Sequence, residues 1–314
     1  MVVATWNLEN LFRPGGESGP SDEQQYEAKL ADLARVIREI DPDVLAVQEV
    51  GDLDAFEDLR RRLDGEWHAE TSEFPDERGI RVGFLSRRAL RRIEDVREFP
   101  RLLEPVQVDD EETKVNEMGR GALKVRVRAG GRAIDLVTCH LKSKLLSYPD
   151  GRLNPRDEGE RARYAAYALY LRAAEAVTLR AFADELLDEQ GRERAVILLG
   201  DLNDEPAAAT TQIPLGPPGS EIGTPGFERP DQGDGARLWN LAPLIPAERR
   251  FSRVFRGRRE LLDHILVSRA LVERVESVDT GPGEPRSITE DPTARRDEPA
   301  SDHLPVIARL QLGV

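Results

Sequence analysis

The sequence predicts a layered α/β sandwich built on mixed β-sheets. Two observations predict it. Short apolar runs of the kind that form buried strands alternate with amphipathic segments of helical period. Two of the runs, residues 122–128 and 133–138, are joined across Gly130-Gly131, which reads as a hairpin and so as antiparallel pairing. A purely parallel, doubly wound sheet does not accommodate that hairpin. No internal repeat is visible and no linker separates two cores, so residues 1–314 read as one domain.

Residues 2–6 form the first apolar, β-branched run and predict a strand, followed by a Gly-, Pro- and Ser-rich loop over 10–24. Leu30, Leu33, Val36, Ile37 and Ile40 recur at helical spacing and predict a helix over 25–40, ended by Asp41-Pro42. Residues 44–47 are continuously apolar, as in a strand covered on both faces. A second helix is predicted over 53–63 and a strand over 80–85. Beyond the hairpin, residues 158–189 read as one long Ala-, Arg- and Glu-rich helix or two shorter ones. Strands follow over 195–199, 262–267 and 306–310, with loops over 210–235 and 279–300.

Lys+Arg 45 against Asp+Glu 59 gives a net charge of −14. A uniformly cationic surface for nucleic acid or anionic lipid is excluded, so an anionic ligand needs a local basic patch or a metal. Local patches exist at Arg87–Arg92 with Lys142 and Lys144, and at Arg249–Arg259. Cys139 is the single cysteine, which excludes an intrachain disulfide and a cysteine-cluster zinc site. No apolar run is long enough to cross a membrane. The N-terminus has no leader pattern, and the expected compartment is the cytoplasm unless a leader has been removed.

The residues able to do chemistry share one position, the end of an apolar strand. Asn7 and Glu9 follow the first strand, and Gln48 and Glu49 the second. His140 follows residues 136–139; Asp201, Asn203 and Asp204 follow 197–199. Asp263 and His264 precede one late strand, and Ser301, Asp302 and His303 precede the last. Loops at strand ends of a sandwich converge on one rim, where such folds place their sites. Carboxylates, an amide and imidazoles without thiolate suit a hard divalent cation, Mg²⁺ or Mn²⁺.

In chain order the segments are Thr5-Trp6-Asn7-Leu8-Glu9-Asn10, Val47-Gln48-Glu49, Thr138-Cys139-His140-Leu141, Gly200-Asp201-Leu202-Asn203, Leu262-Asp263-His264-Ile265 and Ser301-Asp302-His303-Leu304-Pro305-Val306. This set resembles the endonuclease/exonuclease/phosphatase superfamily of DNase-like, metal-dependent phosphoesterases. The resemblance implies a four-layer α/β/β/α sandwich. It implies that Glu49 is the principal Mg²⁺ ligand, with Asn7 beside it and Asp302 completing the metal shell. Asp201 would orient or deprotonate the attacking water, Asn203 would contact a phosphoryl oxygen, and Asp263 would pair with His303 at the scissile phosphate. The base is left open between Asp201 and His303. His140 matches a second histidine of DNase-like and sphingomyelinase-like members.

Arg120 resembles a phosphate-contacting arginine of DNase-like members, and Lys142 and Lys144 are candidates for the substrate backbone. Arg172 with Glu175 stands where the family often has Arg and Gln, and Arg78 is a candidate for the cleft. The expected activity is metal-dependent hydrolysis of a phosphodiester, with nucleic acid as substrate. The alternatives are a phosphoesterase for inositol phosphates, phospholipid headgroups or nucleotides, and an inactive binding protein on the same fold.

Overall fold

The structure, a computed structural model, describes residues 1–289, 291 and 294–313. One six-stranded sheet runs β15 (Val275–Thr280), β16 (Val306–Leu310), β1 (Val2–Leu11), β2 (Val44–Val50), β4 (Arg81–Ser86), β3 (His68–Thr71). The other runs β11 (Leu238–Asn240), β14 (Asp263–Ser268), β10 (Ala195–Asp201), β9 (Arg132–His140), β8 (Glu117–Ala129), β5 (Arg91–Glu98). Two small ribbons, β6–β7 (Val106–Gln107, Lys114–Val115) and β12–β13 (Arg253–Phe255, Arg258–Glu260), stand outside these sheets.

Each sheet has one parallel pair at its centre, β1 with β2 and β9 with β10, and antiparallel neighbours on both sides. A long helix makes each parallel crossover: α1 (Glu23–Ile40) and α3 (Glu158–Leu187). Both are capped alike. Asp22 and Asp157 accept the backbone N–H three residues on, and Asp41 and Asp188 close the C-termini in the left-handed region. The short helix α2 (Leu53–Arg61) joins α1 on the same face.

Side-chain alternation makes the layers. Val44 and Ala46 of β2 meet Ile197 and Leu199 of β10 between the sheets. Leu45 and Val47 turn outward onto Leu30, Leu33 and Ile37 of α1, while Val196 and Leu198 turn onto Leu179, Phe182 and Leu186 of α3. The mixed, four-layer sandwich is therefore present.

Several boundaries differ from the sequence reading. β1 continues to Leu11 instead of ending near Trp6, because a register shift between Asn7 and Leu11 carries the pairing past the polar residues. Residues 158–187 are one helix, not two. The 210–235 loop contains the short helix α4 (Ala209–Gln212) and single turns at Ile213–Leu215 and Gln232–Gly235. β3, β5, β11 and β15 escape the hydrophobic pattern; β5, for example, is charged on both faces. The expected 279–300 loop begins inside β15, and its residues 290, 292 and 293 lie outside the described residues.

Candidate active site

The parallel pairs point their C-terminal ends at the same edge of the sandwich. Asn7 of β1 donates through Nδ2 to Asp201 of β10 at 3.1 Å, which joins the two sheets there. Gln48 makes a second bridge, donating to Thr5 and Thr138 Oγ1, each at 3.1 Å. β14 begins at this edge with Asp263, opposite Asp201 in register, and the segment before β16 brings His303.

The backbone is strained where function is expected. Glu9, Asn10, Glu49 and Asn203 have φ of 50°, 54°, 62° and 54°, left-handed values uncommon for non-glycine residues. Register shifts in the β1–β2 and β2–β4 pairings flank three of them. Such bulges re-aim side chains at strand ends. Glu49 consequently accepts from Asn7 Nδ2 at 3.1 Å and from the Asn10 N–H at 2.8 Å.

Asp201 is the hub, with 1% of its surface exposed. Its Oδ1 accepts the Asn203 N–H at 2.8 Å. Its Oδ2 lies 3.4 Å from His140 Nε2 and 3.9 Å from His303 Nε2. Burial, then the nearby Asp263 carboxylate, push the Asp201 pKa up to about 6, against the pull of His303.

The two imidazoles are driven apart. For His303, burial lowers the pKa, but Asp263, Asp302 and Asp201 outweigh it and raise it to about 10. For His140, burial and then Arg120, His303, Arg78 and Lys142 hold the pKa well below the ordinary value. His303 is thus an imidazolium at neutral pH and His140 a neutral ring. His140 Nδ1 is buried without a partner, so the ring proton belongs on Nε2, facing Asp201.

Asp201, Asp263 and His303 offer ligand atoms within 4.8 Å of one another and could hold a metal ion. Asp263 Oδ1 is buried with no hydrogen-bond partner, a lone pair left for a cation or a donor. Glu49 has amide donors as its partners and, among the described residues, no ion pair. An all-oxygen and imidazole set of this kind fits a hard divalent cation. Asn7 turns Nδ2, not Oδ1, toward the two carboxylates, while Oδ1 accepts the Glu9 N–H at 2.9 Å. Asn203 directs its amide to Leu141 O at 2.9 Å. The Asp302 N–H donates to Glu9 Oε2 at 2.9 Å.

Around His140 the surroundings are cationic. Arg120 pairs with Asp76 at 2.8 Å, and Arg78 lies 3.9 Å from the same carboxylate. Lys142 Nζ donates to Leu145 O at 3.1 Å, and Lys144 pairs with Asp204 at 2.9 Å. The expected track from Arg87–Arg92 to these lysines is not formed. Arg87 and Arg88 follow β4 at the far end of the sheet and pair with Asp41 and Asp43, and Arg91 faces Arg126 far from His140. In the 249–259 stretch, Arg249, Arg253 and Arg259 pair with Asp279, Glu260 and Glu284.

The model of the Endonuclease/Exonuclease/phosphatase family matches residues 4–303. The chain belongs to the endonuclease/exonuclease/phosphatase family. No curated protein matches it in sequence. Among solved structures it is similar to a mannosyl-6-phosphatase of Bacteroides thetaiotaomicron, with a TM-score of 0.58, 16% identity and 99% of each chain covered. It is also similar to a 3'-5' exonuclease of Neisseria meningitidis, with a TM-score of 0.55, 19% identity and 99% of each chain covered. The human Nocturnin catalytic domain gives a TM-score of 0.53 at 18% identity, covering 98% of this chain and 93% of that one. These likenesses share the fold. Family members are hydrolases of phosphate esters and are generally dependent on a divalent metal.

Within this family fold, Arg295 and Lys29 are site neighbours that sequence reading missed. Lys29 left a signal: it interrupts the buried stripe of α1 between Tyr26 and Leu33, and it is itself only 4% exposed. Arg295 lies in a stretch without periodicity and left none. Among the described residues no helix is long and apolar enough to cross a membrane.

Proposed function

We propose that this chain is a divalent-cation-dependent phosphodiesterase acting on nucleic acid. The observation that carries the reading is the pair of imidazoles beside one buried carboxylate: His140 Nε2 at 3.4 Å and His303 Nε2 at 3.9 Å from Asp201 Oδ2, with His303 held by Asp263. An anionic phosphodiester repels hydroxide, so hydrolysis needs a held water, a positive contact to the phosphoryl oxygens and a group serving the leaving oxygen. Asp201, with a pKa near 6, accepts a proton from water at neutral pH. His303 donates to a phosphoryl oxygen, and Asp263 holds its ring in place. His140 faces the leaving side, where Arg120 and Arg78 add positive charge.

Glu49, with Asp302, would hold the cation, and Asn7 would join them only with its amide turned over to present Oδ1. When bound, the cation supplies charge neutralisation at the phosphoryl group and activation of water. The choice of Glu49 rests on its partners, which are amide donors, and on its having no ion pair among the described residues.

A second reading, a small-substrate phosphoesterase, is favoured by one observation. Lys142 and Lys144 are tied to Leu145 O and Asp204 instead of standing free for a polymer backbone. A panel with Mg²⁺ or Mn²⁺ tests both: single-stranded DNA, plasmid, RNA, bis-p-nitrophenyl phosphate and p-nitrophenyl phosphate. Cleavage of nucleic acid and of the small diester supports the proposal. Rapid monoester release with nucleic acids untouched favours the second reading. Activity that survives excess EDTA overturns both.

A further inference from the structure

Glu9 is a half-buried carboxylate one bulge away from Glu49, in a position to be mistaken for a metal ligand. Its oxygens are already occupied. Arg295 Nε donates to Oε1 at 2.7 Å and Arg295 Nη2 to Oε2 at 3.0 Å, a bidentate fork. Oε2 also accepts the Asp302 N–H at 2.9 Å. The guanidinium is itself fixed, donating to Ala300 O at 2.6 Å, and only 14% of its side chain is exposed. Lys29, buried on α1, is a second basic group among the charges of Glu9, Asp302 and Glu49, with burial lowering its pKa against their pull. Glu49 has no ion pair of its own among the described residues; its partners are the Asn7 side-chain amide and the Asn10 N–H.

We infer that Arg295 is a built-in cation standing in for a second metal ion, so that the site takes one divalent cation, on Glu49. The inference rests on the metal-dependent reading above. A guanidinium keeps its charge at any pH the protein tolerates, so Glu9 has a fixed counter-charge whether or not metal is present. The fork also fixes the segment that carries Asp302 and His303. The same segment is held by Ser301 Oγ donating to Asn7 O at 2.7 Å and Trp6 Nε1 donating to His303 O at 2.8 Å. Glu9 and Arg295 are therefore positioning residues.

The test is Mn²⁺ binding, read by calorimetry and by the paramagnetic signal of free Mn²⁺, without substrate. Wild type and Arg295→Lys are expected to bind one Mn²⁺ each. Arg295→Ala frees Glu9 and gains a second, weaker Mn²⁺. Glu9→Gln leaves the first affinity within about threefold, because Glu9 is not a ligand and the glutamine oxygen can still accept the Asp302 N–H. Two Mn²⁺ in wild type, one Mn²⁺ in Arg295→Ala, or a tenfold weaker first site in Glu9→Gln would each overturn the inference. No Mn²⁺ binding to wild type would instead overturn the metal-dependent reading beneath it.

Discussion

His303 Nδ1 stands 2.6 Å from Asp263 Oδ2, and both side chains are almost fully buried. With Nδ1 donating to Asp263, Nε2 is the nitrogen presented toward Asp201 and substrate. Asp263→Asn removes the charge that keeps this ring protonated and oriented. The expected loss in kcat is ~10²- to 10⁴-fold, the usual contribution of a positioned acid or base. Steady-state kinetics on a small diester checks it; a loss under tenfold would remove His303 from the reaction.

The same pair makes stability depend on pH. The His303 pKa is raised from its ordinary 6.5 to about 10. A group whose folded pKa is raised stabilises the fold fully below its unfolded pKa, and that contribution is lost as pH rises through the folded value. The melting-temperature gap between wild type and His303→Gln should therefore be widest below pH 6.5 and shrink toward pH 10. A gap that widens on the alkaline side would contradict the protonated assignment.

Glu49→Gln is expected to weaken Mn²⁺ binding and activity by ~10²-fold or more, since even outer-shell partners of a metal cost ~10- to 100-fold. Without metal, the variant should melt close to wild type. An amide oxygen keeps the Asn10 N–H as its donor, and the Asn7 amide that loses its Glu49 acceptor still has Asp201. Titration with Mn²⁺ and a melting curve in EDTA separate the two effects.

The sequence showed the site more fully than its surroundings, and the reason is physical. Asn7, Glu49, His140 and Asp201 each close a continuous apolar strand, so a break in hydrophobicity marks them. The crossover helices α1 and α3 likewise announce their spans. β5 and β11 lie at sheet edges, where one row of neighbours is missing and alternation fades. The lysines are the instructive case. Their spacing after His140 suggested a backbone track, yet spacing cannot show that Asp204 and a loop carbonyl already hold them. Arg295 is the converse, reaching Glu9 across 286 residues of chain.

Because both lysines have internal partners, Lys142→Ala with Lys144→Ala should reduce the salt slope of DNA binding by less than the ~2 units expected of two free phosphate contacts. Turnover of a small diester should change little. A full two-unit loss, measured by binding between low and moderate salt, would mean that DNA pulls both lysines from their present partners.

Glu175 departs from the glutamine expected by resemblance, and the structure gives the reason. This buried carboxylate accepts the Gly119 N–H through Oε1 at 3.0 Å and the Lys142 N–H through Oε2 at 2.5 Å. Beside it, Arg172 donates to Lys142 O at 2.9 Å. One turn of α3 therefore clamps both the strand leading to Arg120 and the loop leaving His140. A glutamine offers one oxygen, and its NH₂ would face the other backbone N–H, donor against donor. Burial raises the Glu175 pKa, opposed by these same N–H groups and by Arg120 and Lys142. Removing a buried charge would ordinarily help stability. Here each N–H left unsatisfied costs ~1–3 kcal/mol. Glu175→Gln should thus destabilise despite losing the charge, and Glu175→Ala should destabilise further, with both donors orphaned and a cavity left. Denaturant melts order the three proteins; a Glu175→Gln variant more stable than wild type would show that the buried charge outweighs its two backbone partners.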